Sequence, residues 1–209
     1  THREICRMGR IAADNVKRGL DCFFDYSSAK AESVRSHEES VNILNHSIAE
    51  AMVQLRSLDL SPENMRRVSM MTIAVTDIER LSDHAENMVE YVEQMNTKKA
   101  EMTDVATREL KDMADDTVKA VYLALEIFET EDYSKLDDIE LLEQHVDDHE
   151  KSLINNHVER IMNSFCNPLS GVIFSDMVTD LERCSDHAIN LAYALKERPA
   201  ELDQPHYDI

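Results

Sequence analysis

Apolar side chains near the start of the chain fall three or four apart, at Ile5, Met8, Ala12, Val16, Leu20 and Phe23. This is the period of an amphipathic helix and predicts a first helix over about 3–26. A second helix, over about 29–57, carries Val34, Val41, Ile43, Leu44, Ile48 and Leu55. It stops before Leu58-Asp59-Leu60-Ser61-Pro62, where Ser61 suits an N-cap and Pro62 the first position of the next helix. The third helix runs to about 97, and Ile78, Leu81, Ala85, Met88 and Val92 form its core stripe.

The pattern then starts again. A helix over about 100–130 is followed by a break at 131–134 and a helix over about 135–163. Asn167 caps and Pro168 opens a last helix that runs to about 197, before Pro199 and a polar tail. The third and sixth helices carry the same phrase: Thr76-Asp-Ile-Glu-Arg-Leu-Ser-Asp-His-Ala-Glu-Asn-Met88 aligns with Thr179-Asp-Leu-Glu-Arg-Cys-Ser-Asp-His-Ala-Ile-Asn-Leu191, with nine of thirteen positions identical at an offset of 103. The reading is an all-α fold of six long antiparallel helices in two tandem three-helix bundles, 1–98 and 99–198, with a tail at 199–209.

Composition agrees. Three glycines and four prolines in 209 residues leave little for turns, and 43% hydrophobic residues are enough for a core. A formal net charge of −20, from 42 acidic and 22 basic side chains, argues against nucleic acid and anionic membrane surfaces as partners and attracts cations. It also disfavours free phosphate unless a bound metal or an arginine bridges it. Cys6, Cys22, Cys166 and Cys184 show no paired spacing and read as reduced core residues of a cytoplasmic protein. The longest apolar run, near Ala120 to Leu125, is far shorter than the roughly 20 residues of a membrane span, so no direct membrane insertion of this segment is expected. The start at Thr1 suggests a piece of something larger.

The repeated phrase carries the candidate chemistry. Glu79 and Asp83 lie one turn apart on the side away from the core stripe, with Glu86 completing the row; Glu182 and Asp186 repeat the pair, with Ile189 in place of Glu86. Two carboxylates so placed can share a divalent cation. The fifth helix adds Glu143, Asp147 and Glu150, whereas the second offers Glu38, Asn42 and Asn45, so two sites of unequal strength are expected. The alternatives are a solvated acidic face or a salt-bridge network through Arg80 and Arg183. His84 and His187 read as packing or supporting residues rather than ligands. His145 and His149, one turn apart, form a weaker metal-pair signal without a counterpart in the first half, and the methionines read as core filler. No Glu-x-x-His, P-loop or nucleophile elbow is present, so the chain is not read as an enzyme.

The two motifs, Asp77 to Asn87 and Asp180 to Asn190, on the third helices of tandem three-helix units resemble the PhoU family, and the likeness covers most of the chain. The resemblance implies surface metal clusters, with iron, zinc, manganese or magnesium as divalent or trivalent ions. The implied ligands are Glu79, Asp83, Glu182 and Asp186, joined by Glu38, Glu143, Asp147 and Glu150 from the paired helices. Ser82 and Ser185 depart from the glycine of many members, and Asn45 replaces a usual acid. The opening Arg3-Glu4-Ile5-Cys6-Arg7-Met8-Gly9 is similar to PhoU-like domains that follow the membrane part of bacterial sodium/phosphate cotransporters. That implies a cytoplasmic regulatory domain of phosphate transport, tethered to the inner face of the cell membrane. Its partner would be a membrane phosphate transporter, in cis, or a sensor kinase. A free-standing PhoU-type regulator and a metal-free acidic helical adaptor stay open as alternatives, and an uncovered apolar stripe would allow a homodimer.

Overall fold

Four of the six helix starts are written in a short polar side chain. In the computed structural model, which describes residues 1–163 and 167–196, α1 spans His2–Phe24 and α2 spans Ser28–Arg56. The Ser27 hydroxyl accepts from the Lys30 amide at the head of α2. α3, Pro62–Lys98, begins with Ser61 accepting from Asn64 and with proline at a position whose missing amide costs nothing. α4, Asp104–Thr130, is capped by Thr103, and α6, Pro168–Tyr193, by Asn167. α5, Leu136–Met162, grows out of a single 3-10 turn at Tyr133–Lys135. Lys99 and Glu131 end α3 and α4 in the left-handed region, at φ 51 and 53. Two non-glycine residues there stop the helices sharply.

The six helices are the expected ones, with three adjustments. α4 starts at Asp104 rather than near 100, because Lys99 turns the chain and Thr103 caps it. Ile43, expected in the core stripe of α2, is 61% exposed; Val34, Val41 and Ile48 alone keep α2's buried register with Ala31 and Met52. α6 ends at Tyr193, short of the expected 197, because the chain turns out of the helix over 194–196; Cys166 and the tail at 199–209 lie outside the described residues. Cys6, Cys22 and Cys184 are free and buried, as expected of core cysteines.

α1, α2 and α3 pack together, as do α4, α5 and α6, and the two sets meet through α3 against α6 and α1 against α4. Both meetings are antiparallel. Tyr122 of α4 donates to Asp14 of α1 at 2.6 Å, while Arg10, earlier in α1, pairs with Glu129, later in α4, at 2.8 Å. The two halves are therefore related by a pseudo-two-fold axis across the helices. They do not have separate interiors: buried apolar residues of all six helices form one continuous cluster. α1 and α3 approach so closely at Gly19 that a Cβ there would sit 2.8 Å from the Ala85 carbonyl oxygen. No helix among the described residues is long and apolar enough to cross a membrane.

Candidate metal centre

Helical periodicity puts Glu79, Asp83 and Glu86 one below another on α3, and the fold lays α2 alongside them. On the side of α3 away from its core stripe, Glu79 and Asp83 are half-buried, at 26% and 35% side-chain exposure. Glu38 of α2 comes into their field: burial, then Glu86 and Asp83, push its carboxyl above the ordinary range, while Asn42 donates to it. Burial and the neighbouring Asp83 push Glu79 up in the same way. Asp83 is raised by burial, against the opposing influence of Arg80, His84 and His187.

The second half is more strongly acidic. Glu143 of α5 is pushed up by burial and by Asp147 and Asp186. Glu182 of α6 is pushed up to about 6 by burial first, then by Asp186 and Glu150, with Asp147 adding to it and Arg183 opposing. Thus α5 and α6 bring Glu143, Asp147, Glu150, Glu182 and Asp186 into one field. Among the described residues, however, no three His, Cys, Asp or Glu side chains are placed to hold a metal ion together. His145, which is exposed, and His149, whose Nδ1 is buried without a partner, are not joined into such a group.

The arginines of the two motifs behave differently. Arg80 reaches Asp83 at 3.5 Å and Glu79 at 3.9 Å, while Arg183 makes no ion pair among the described residues. The first half thus carries its own cation on the acidic row, and the second does not.

The aspartates and histidines of the motifs do something the sequence reading missed. His84 Nδ1 donates to Asp180 Oδ1 at 3.0 Å, and His187 Nδ1 donates to Asp77 Oδ1 at 2.9 Å. Each half's histidine is held by the other half's aspartate, across the α3/α6 seam. Asp180 also accepts from Asn87 at 3.2 Å and from the Tyr91 hydroxyl at 3.0 Å. Beside this seam, Ser82 accepts from the fully buried Asn15 of α1 at 3.0 Å. The histidines are supporting residues, as expected, but they support the joint between the halves. The signal was in the sequence: Asp77, His84 and Asn87 recur as Asp180, His187 and Asn190, although the metal reading used none of them as ligands.

A model of the PhoU domain matches residues 5–92 and 110–195, one stretch in each half. The chain is 24% identical over 196 residues to the phosphate-specific transport system accessory protein PhoU homolog 1 of Thermotoga maritima, covering 90% of this chain and 81% of that protein. It is 23% identical over 189 residues to a protein of the same description from Xylella fastidiosa, covering 90% and 78%. Its fold is shared with the crystal structure of PhoU from Pseudomonas aeruginosa, at a TM-score of 0.85 and 21% identity over 92% of each chain. A phosphate transport system regulatory protein PhoU from Streptococcus pneumoniae gives 0.80 and 18% over 92% and 90%. With both halves matched and the fold in common, the chain belongs to the PhoU family, a family of phosphate-transport regulators and not of enzymes.

Proposed function

We propose that the chain is a cation-binding regulatory module of phosphate transport, acting on the cytoplasmic side of the membrane. The observation that carries the reading is the meeting of α5 and α6, where five carboxylates share one field and Glu182 is driven up to about 6. Carboxylates that repel one another gain from a counter-charge, the more so since all but Asp186 are half-buried, and an all-oxygen donor set suits a hard or borderline ion. Glu182, Asp186, Glu143, Asp147 and Glu150 would hold it in the second half. Glu79, Asp83 and Glu38 would do so more weakly in the first, where Arg80 already occupies the row. Holding an ion requires these carboxylates to turn inward from their present positions, since no three now converge. A bound ion would supply the local positive charge that an otherwise anionic surface needs to meet phosphate or a phosphorylated group.

The partner in this reading is a membrane phosphate transporter, in cis as the cytoplasmic domain of a sodium/phosphate cotransporter, or a sensor kinase. A free-standing PhoU-type regulator is the other form of the same role. A metal-free acidic adaptor is the second reading, and the ion pairs of Arg80 with Asp83 and Glu79 favour it for the first half. Elemental mass spectrometry on untagged protein, comparing wild type with Glu182→Ala combined with Asp186→Ala, separates them. Near-stoichiometric metal that disappears in the double variant supports the cation site. Wild type that stays empty after reconstitution with iron, zinc and manganese overturns it and leaves the adaptor.

A further inference from the structure

The seam between α3 and α6 is built from two stripes of the same design. α3 presents Asp77, Leu81 and His84 at positions i, i+4 and i+7, and α6 presents Asp180, Cys184 and His187. Running antiparallel, the two stripes pair Asp77 with His187 and His84 with Asp180, and the two imidazole rings lie between them, 5.7 Å apart. Leu81 and Cys184 are closed off completely in the middle, at 1% and 0% exposure.

The two ends of the seam are fastened unequally. Both Asp180 oxygens are used: Oδ1 by His84, and Oδ2 by the Asn87 amide and the Tyr91 hydroxyl. Asp77 has His187 on Oδ1, but its Oδ2 is buried with no hydrogen-bond partner. The cause is legible in the repeat. The residue 103 beyond Tyr91 is Ala194, which continues the helical backbone of α6 at φ −55 and ψ −37 but has no hydroxyl to offer. Asn190, the counterpart of Asn87, is exposed and makes no side-chain hydrogen bond among the described residues. A buried acceptor left without a donor is destabilising where it sits, and such frustration marks the part of a structure that opens first.

We infer that the α3/α6 seam is an unequal latch, held at Asp180 and releasing at Asp77, so that the two halves of the protein open about the Asp180 end without unfolding. The inference goes beyond the proposed cation site and needs no metal. Release would part α3 from α6 beneath the two acidic rows that flank them, changing the face that the regulator shows to a partner. It would also uncover Cys184, a free thiol on the seam stripe of α6.

That thiol is a built-in reporter. The full chain would be pulsed with N-ethylmaleimide in native, chelator-treated buffer and in low urea, and labelling of each cysteine read by peptide mass spectrometry. Cys22, buried in α1 away from the seam, serves as the internal reference. Labelling of Cys184 faster than of Cys22, at a rate nearly independent of low urea, is the expected signature of a local opening. Ala194→Tyr, which returns a donor toward Asp77 Oδ2, is expected to slow Cys184 labelling about fivefold, and His187→Phe, which removes the bond at the releasing end, to speed it about as much, the effect of one hydrogen bond. Cys22 should not respond to either. Equal labelling of the two cysteines in wild type, with the steep urea dependence of global unfolding, would overturn the latch. So would a Cys184 rate that His187→Phe leaves unchanged, an outcome that does not depend on whether Ala194→Tyr folds.

Discussion

His84 of α3 and His187 of α6 face each other with ring centroids 5.7 Å apart, and each is bonded to the aspartate of the other's motif. The pairs look alike, but their loads differ. Asp180→Ala strands three donors, on His84, Asn87 and Tyr91, whereas Asp77→Ala strands one and removes an acceptor that already lacked a partner. With each buried unpaired group costing roughly 1–3 kcal/mol, Asp180→Ala should lose about 3 kcal/mol or more and Asp77→Ala about 1 kcal/mol. Urea unfolding followed by circular dichroism checks the ranking; equal losses would mean that the two pairs are equivalent.

Gly9 and Gly19 both lie on the buried side of α1, and their substitution should have different outcomes. A Cβ at Gly19 meets the Ala85 carbonyl oxygen at 2.8 Å and its Cα at 3.1 Å, so α1 must move away from α3. A Cβ at Gly9 clashes with the tip of Leu125 alone, at 2.6 Å, with Ile78 at an ordinary 3.5 Å, and the Leu125 side chain can turn. Gly19→Ala is expected to destabilise by about 1–3 kcal/mol through overpacking. Gly9→Ala should come out near neutral, since alanine's helix preference of about 1 kcal/mol offsets the local adjustment. Thermal melts of the two variants side by side decide it.

The acidic rows give stability a pH dependence whose sign follows from the direction of the shift. The folded-state carboxyl of Glu182 is raised from 4.5 to about 6, so the fold favours its protonated form. Below the unfolded value the penalty is absent; it builds as pH rises through the window from 4.5 to about 6 and is complete above it. In chelator, Glu182→Gln should therefore melt higher than wild type at pH 8, with the difference closing toward pH 4.5. A difference that stays constant across that range would show that Glu182 titrates alike in folded and unfolded chains.

Arg80 competes with any cation for the first-half row. Its side chain is 58% exposed, so its pairing with Asp83 and Glu79 contributes little to stability. Arg80→Ala, tested with Glu182 and Asp186 both changed to alanine so that only the first half reports, should bind manganese roughly two- to fivefold more tightly by isothermal titration. Unchanged or weaker binding would show that the arginine organises the row rather than blocking it.

The helices were legible in the sequence because caps and apolar period are local signals. Ser61-Pro62 and Asn167-Pro168 announced α3 and α6 directly. Ala100 and Met102 misled the start of α4, since an apolar residue beside a helix looks like one within it. The acidic rows were legible for the same local reason: Glu79 with Asp83, and Glu182 with Asp186, are neighbours on one helix. The seam was not, because its bonds join residues 96 and 110 positions apart. No helical period foretells which aspartate a histidine will meet on another helix. Nor did the repeat show that Arg80 would turn onto its acids while Arg183 would not.

Antiparallel packing of α3 on α6 gives the seam the logic of an isologous interface: residue i of one unit touches j of the other, and j touches i. In a homodimer of identical three-helix units such reciprocity would be absolute, and any change at one contact would be copied at its mate. Here the units are joined in one chain, so the two contacts are separate positions in the sequence. Tyr91 and Ala194 occupy those positions with different residues. Covalent fusion lets a two-fold surface carry a direction, which no symmetric dimer of the same parts could have.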